Sequence, residues 1–370
     1  MATNANDIIP AHATHPGGVL KRELQARGIK QKEFAKAIGM PAPNLSEIIK
    51  GRRNISESIA IKLEEALGIP FQTWINLQSR YNYVERRRAD LDAVEAQASI
   101  EEKSLGSRLN LAVLYKYSGI DKPTAAERVA LLRQSFDIDL NRLHEMEVST
   151  VGFFKRSEHL KIDDVNMRTW LLLAWCEAAK LHLEVPYSKQ LALVAASEIA
   201  SAANASTLTV ATLKDILNRS GIIFCQVPKL DAAPIDAYSV MAGENPAIVV
   251  TYRHNDMDKL TFDVLHEIGH VLWHLSSDRS YISVEYEYSS QSAEEKEADE
   301  FAKNTLIPPA VWKSIMAEGA RNLSPYVVAH TIADAARRHG VSPTIAVARY
   351  KHDTRCYAIR AVSYTHLTLP

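Results

Sequence analysis

Two histidines four residues apart with a glutamate between them, His266-Glu267-Ile268-Gly269-His270, have the types and spacing to do chemistry. On a helix, positions i and i+4 share a face, so both imidazoles can reach one ion. Imidazole nitrogen suits zinc at about 2.0–2.1 Å. Glu267 sits beside them without being a ligand. It is placed to take a proton from a water that the metal acidifies, and to hand that proton to a leaving amine. A motif of this form arises by chance in about 3% of chains of this composition, so it needs partners.

Partners lie on both sides. Upstream, Leu260, Phe262, Val264 and Leu265 make the motif helix a buried one. Downstream, Glu295-Lys296-Glu297-Ala298-Asp299-Glu300-Phe301-Ala302 reads as a second helix with Ala298, Phe301 and Ala302 facing inward. A carboxylate from a second helix is the usual third ligand of a His₂Glu zinc site, with the fourth position left for water. On periodicity alone Glu294, Glu295, Glu297 and Glu300 are all candidates. His274 falls one further i+4 step along the motif helix. Two turns from His266 it cannot easily reach the same ion, so it reads as a packing residue or a support behind the ligands. Tyr252 and His254, just before the helix, could bond a substrate or an oxyanion.

The elements that must position these groups are mostly helical. Apolar spacing predicts helices over Leu105–Tyr117, Thr124–Ser135, Val165–Leu183, Gln190–Ala203, Asp256–Leu275, Ser292–Thr305, Pro325–His339 and Pro343–Tyr350. Between them the period changes. Ile222–Val227 and Ala247–Tyr252 are short and β-branched, bounded by Gly or Pro, and Asp236–Met241 could be a third strand. The expected fold class is therefore mainly α with a small β-sheet (α+β).

A second constellation lies near the N-terminus. Residues 1–88 hold fourteen Lys and Arg against eight Asp and Glu, a net of +6, while the remainder carries −7. A basic module on an acidic body suggests an anionic partner for the first part only. Within it, Gln31–Ile38 is an amphipathic helix with Phe34, Ala35 and Ile38 inward, and Gly39 can supply the positive φ that ends it. Pro41 suits the first turn of the next helix, where Leu45, Ile48 and Ile49 face inward. Two short helices around a tight Gly-containing turn make a helix-turn-helix. The second helix presents Ala42, Pro43, Asn44, Ser46, Glu47 and Lys50 outward. Asn and Ser can bond base edges, and Lys50, Arg52 and Arg53 can neutralise phosphates. With Gln31 and Lys32 opening the preceding helix, these are the candidate DNA contacts.

Residues 15–80 resemble the Xre-type helix-turn-helix, and more closely its HigA-like antitoxin branch. The resembling features are His15-Pro16-Gly17, Gln31, Gly39 and Gly51-Arg52-Arg53-Asn54-Ile55-Ser56. Residues 207–309 resemble the ImmA/IrrE family of metallo-endopeptidases. Here the features are the two strands, Phe262-Asp263-Val264-Leu265-His266-Glu267-Ile268-Gly269-His270, and Glu297-Ala298-Asp299-Glu300-Phe301-Ala302 followed by Leu306-Ile307-Pro308. The resemblance implies zinc as cofactor, held by His266, His270 and Glu297, with Glu267 as general base. It also implies hydrolysis of a peptide bond in a repressor-like partner, as a stress or toxin-antitoxin/mobile-element switch. The pairing with an N-terminal Xre-type domain is itself known in that family.

The expected organisation is thus a five-helix Xre-type DNA-binding domain over 15–88, a helical middle over 89–205 with no assigned role, and a zincin-like metallopeptidase domain over 206–355. The partners it implies are a double-stranded DNA operator, read as a homodimer on a pseudo-palindrome, and a protein substrate or cognate repressor or toxin. The alternative is a non-catalytic HigA-like antitoxin or repressor whose zinc is structural or sensory; a third reading is a general peptidase with a vestigial helix-turn-helix. Glu267 favours the enzyme, because a structural site has no need of it.

Composition agrees with a globular chain. Of 370 residues, 46% are hydrophobic and 24% charged, which excludes a mostly disordered or collagen-like protein. No apolar run approaches the ~18 residues of a membrane helix, and Met1–Pro10 lacks the features of a signal peptide. Cys176, Cys225 and Cys356 are too far apart for a Cys-rich zinc site or a disulfide framework, so a reducing, cytoplasmic and nucleoid-associated location is expected. Residues 362–370, Ser363-Tyr364-Thr365-His366-Leu367-Thr368-Leu369-Pro370 with Val362 before them, resemble a translated transposon-end adapter. They are expected to be non-native and take no part in the site.

Overall fold

The computed structural model describes residues 14–136, 162–252, 257–276, 280–284, 292–319 and 325–354. His254 and the tail 362–370 lie outside the described residues. Contact density divides the chain into two units, residues 1–102 with 122–129, and residues 103–121 with 130–370.

The first unit is built on five helices, α1 (Pro16–Ala26), α2 (Gln31–Ala37), α3 (Ala42–Ile49), α4 (Glu57–Leu67) and α5 (Phe71–Gly106). Their apolar stripes meet in one core containing Leu20, Leu24, Phe34, Ala35, Leu45, Ile48, Leu63 and Trp74. Full burial of a large apolar side chain contributes about 1.5–3 kcal/mol, so this core is the main source of stability for so small a bundle. Gly39 takes φ 60° in the α2–α3 turn, as the sequence predicts. His15 caps α1, its Nδ1 accepting from the Gly17 amide at 3.0 Å. A Cβ at Gly17 would sit 1.8 Å from the Ile48 carbonyl oxygen, so only glycine lets α1 cross the end of α3 at this distance. The last helix runs 36 residues, straight through the division expected after Arg88. No Pro or internal Gly interrupts it, and of the basic run there Arg86 and Arg87 are exposed and Arg88 half-buried.

In the same unit the Glu95 carboxylate accepts from the Ala125 and Ala126 amides at 2.7 and 3.0 Å. It thereby caps α7 (Ala125–Phe136), and those hydrogen bonds lower its pKa. The helix expected over Leu105–Tyr117 is split. α5 ends at Gly106, and α6 (Leu111–Ser118) starts afresh where the Asn110 side chain accepts from the Val113 amide.

The second unit surrounds a four-stranded sheet of β1 (Ile223–Pro228), β2 (Ile235–Ala242), β3 (Asn245–Tyr252) and β4 (Tyr281–Val284), in the order β1-β3-β2-β4. β1 and β3 are parallel, and β2 pairs antiparallel with both β3 and β4. Alternation splits the strands between two cores. Ile223, Cys225, Val227, Tyr238, Val249 and Ile282 pack with α8 (Asp164–Ala179) on one face. Phe224, Ala237, Ile248 and Val250 pack on the other with α9 (Lys189–Asn204) and α11 (Met257–Trp273). α10 (Val210–Arg219), α12 (Ala293–Leu306), α13 (Pro309–Gly319), α14 (Pro325–Arg338) and α15 (Pro343–Thr354) complete the unit. The fold class is as expected, mainly helical with one small sheet. Sequence periodicity did not reveal α10, α13 or the four-residue β4.

Candidate metal centre

α11 carries the His-Glu-x-x-His residues on its buried face, where His266, Glu267 and His270 lie among Val264, Leu265 and Ile268. α12 crosses it closely because small residues meet there. A Cβ at Gly269 would lie 3.0 Å from the Ala298 Cα and 3.3 Å from its Cβ, so any side chain there would push the helices apart. The face of α12 turned to α11 is set by the buried Ala298 and Ala302. Glu295 precedes them by three and seven residues and falls on that face. Glu297 is rotated by about 200° from Glu295.

Three donor side chains consequently converge. His266 Nε2 and His270 Nε2 lie 3.0 Å apart. Each is 3.3 Å from a different carboxylate oxygen of Glu295. A tetrahedral zinc with bonds of about 2.0–2.1 Å needs donors about 3.3–3.4 Å apart; the two imidazole–carboxylate edges match that spacing and the 3.0 Å edge between the imidazoles is shorter. The set also attracts positive charge. Burial alone would lower the His266 pKa, but hydrogen bonds with Asp299 and Glu295 and the charge of Glu267 carry it up to about 10. Burial would raise that of Glu295, yet the hydrogen bonds to His266 and His270 push it down to about 2.

The structure places Glu295, rather than the expected Glu297, beside the two imidazoles. Glu297 does not join the two imidazoles. It is 59% exposed and its Oε2 faces His274 Nε2 at 3.3 Å. The reason is helical phase, since a carboxylate two residues from the packed face points away from it. Among the described residues, His266, His270 and Glu295 are the one grouping of three or more His, Cys, Asp or Glu whose donors could share an ion.

The surrounding residues fix the trio. His266 Nδ1 meets Asp299 Oδ1 at 2.9 Å, which leaves Nε2 to face the other donors. Tyr281 of β4 stacks on His270 with centroids 4.3 Å apart and 17° between planes. Glu267 is fully buried, and the hydroxyls of Ser239 and Ser283 donate to its two carboxylate oxygens. The sheet register explains this. Ser239 pairs with Tyr281, and Ser283 with Ala237, so all four share the face towards α11. Sequence reasoning missed Asp299, Tyr281, Ser239 and Ser283. Only Asp299 left a signal, standing one helical turn after Glu295.

The candidate DNA contacts lie on α2, α3 and the turn after it. Gln31, Lys32, Ala42, Pro43, Lys50, Arg52 and Arg53 are exposed, and Asn44, Ser46 and Glu47 are half-buried. Arg52 lies 3.9 Å from Glu47, and the side chain of each is exposed to solvent.

Comparison with known proteins matches both regions. Residues 20–74 fit the helix-turn-helix family and residues 223–351 the IrrE N-terminal-like domain. Virulence-associated protein A' of Dichelobacter nodosus is 41% identical over 69 residues, covering 18% of this chain and 60% of that protein. Virulence-associated protein A of the same organism is 38% identical over 69 residues, covering 18% of this chain and 68% of its own length. A solved structure of the Pseudomonas aeruginosa antitoxin HigA with the higBA promoter is 31% identical, covering 23% of this chain and 94% of that one at a TM-score of 0.22.

Proposed function

We propose, for a chain that belongs to the helix-turn-helix family through residues 20–74 and carries an IrrE N-terminal-like domain over residues 223–351, the function of a DNA-binding transcriptional regulator fused to a zinc-dependent endopeptidase. The observation that carries the second half is the convergence of His266, His270 and Glu295 at 3.0–3.3 Å beside the buried Glu267. A zinc ion held by these three would supply Lewis-acid polarisation of a carbonyl and acidify water. Glu267 accepts the proton from the attacking water and returns it to the leaving amine. Ser239 and Ser283 aim its carboxylate. The substrate is a repressor-like or toxin protein partner. The exposed cations of the first unit engage phosphates of an operator bound as a homodimer, in the cytoplasm with the nucleoid.

Elemental mass spectrometry of the purified protein tests the site. About one zinc per wild-type chain is expected, retained in Glu267→Gln and Glu297→Ala and lost in His266→Ala and Glu295→Ala. No zinc in the wild type after reconstitution removes the basis for hydrolysis. One observation favours the non-catalytic reading, in which the metal is structural or sensory. Both oxygens of Glu267 already accept serine hydroxyls. Glu267→Gln separates the two, since it abolishes cleavage of the partner under the first reading and leaves operator regulation intact under the second.

A further inference from the structure

A third imidazole stands behind the trio. The side chain of His274 is 7% exposed, with its Nδ1 3.0 Å from His270 Nδ1 and its Nε2 3.3 Å from Glu297 Oε2. We propose that His274, anchored by Glu297, is a positioning residue that fixes the tautomer and ring orientation of His270 for the metal. The proposal rests on the zinc reading above and deepens it.

The directions of the hydrogen bonds carry the argument. His270 Nε2 faces His266 Nε2 and Glu295, so it must present a lone pair to an ion, and its proton then sits on Nδ1. That N–H points at His274 Nδ1, which must accept. The proton of His274 is left on Nε2, where it faces a carboxylate oxygen that can only accept. Every link has one donor and one acceptor, and no atom is asked for two roles. Tyr281 confines both rings, stacked on His270 and 5.6 Å from the centroid of His274.

His266 achieves the same result in one step, through Asp299. The two ligands therefore differ. One is oriented directly by a carboxylate, the other through an imidazole that leads to a carboxylate at the surface. The arrangement also gives Glu297 a role, although it stands outside the trio.

The test measures zinc affinity of the full-length protein by competition with a chromogenic chelator. Loss of an outer partner of a metal-bound histidine costs about 10–100-fold in metal affinity. His274→Leu keeps the apolar bulk against Tyr281 but removes the acceptor, and should weaken zinc binding by about that factor. His274→Gln restores an acceptor and should recover most of the loss. Glu297→Ala, at an exposed position that leaves folding intact, should weaken binding by a smaller factor than His274→Leu. Histidine ¹H–¹⁵N spectra of the zinc-loaded wild type should show His270 protonated at Nδ1 and His274 at Nε2.

Wild-type affinity in His274→Leu, an equal loss in His274→Gln, or the opposite tautomers would each overturn the proposal while the zinc site stands. A wild type that binds no zinc overturns the metal reading itself, and the proposal with it. Should His274→Leu fail to fold, Glu297→Ala and the tautomers decide.

Discussion

The helix-turn-helix unit and the candidate metal centre solve opposite problems with the same device. In both, a glycine lets two helices approach closely, Gly17 against Ile48 and Gly269 against Ala298. In the first unit the close crossing leaves the candidate contact residues outside. Lys50, Arg52 and Arg53 project into solvent, where a polymeric anion can meet them. In the second, the crossing turns the candidate site residues inward, and Glu267 and His270 are fully buried. A surface site needs the right residues on the right face. An interior site also needs the right phase between two elements, which one helix cannot specify alone.

Breaking the phase should have the largest effect. Glu295→Ala is expected to weaken zinc binding by more than the ~100-fold that an outer partner is worth, while Glu297→Ala keeps about one zinc per chain. Equal losses in the two would erase the distinction between the packed and exposed faces of α12. Next comes the crossing in the first unit. Gly17→Ala puts a methyl onto a backbone oxygen that has no side chain to move aside, and should cost more than about 3 kcal/mol in denaturant unfolding of that unit. Zinc content should not change. Gly269→Val should cost about 1–3 kcal/mol and also lower zinc affinity, because Glu295 moves away with α12. A variant that loses stability and keeps its zinc affinity would show that the crossing does not set the ligand distance.

Smaller effects belong to the surface. Lys50→Ala should weaken binding to any mixed-sequence duplex and reduce the salt slope by about one, as read by titration at several salt concentrations. The smallest is a pH effect in the sheet. Burial pushes the Cys225 thiol up to about 11. The stability gained by burying a neutral thiol is held below its ordinary pKa of about 8.5 and lost as pH rises towards the raised value. At pH 8 the folded chain should therefore resist alkylation at Cys225, and rapid labelling there would contradict that burial.

The same comparison explains what the sequence could and could not reveal. The inward stripes of α2 and α3 were legible because Phe34, Ala35, Leu45 and Ile48 repeat at helical spacing, and the turn between them carries Gly39. The motif His266-Glu267-Ile268-Gly269-His270 was legible because its spacing is local. The third member was not settled by spacing, since four glutamates share one helix and only the neighbouring helix picks a face. Family likeness pointed to Glu297, while the packed Ala298 and Ala302 select Glu295. Ser239, Tyr281 and Ser283 were beyond reach because strand register decides them, and β4 is too short to announce itself. The continuous α5 escaped notice because a change in charge pattern at Arg88 resembles a boundary while the backbone continues through it.

The contacts that fix the centre are short in sequence. Ser283 and Ser239 reach Glu267 across 16 and 28 residues, and Asp299 reaches His266 across 33. The bond from Asn204 to Ser342, by contrast, closes 138 residues. Loop-closure entropy grows with the logarithm of that separation, so the centre is the cheaper assembly to nucleate. A chain leaving the ribosome has the whole constellation in hand once Asp299 has emerged, with α13, α14 and α15 still to come. Pulsed hydrogen exchange during refolding should accordingly find the amides of α11 protected before those of α14.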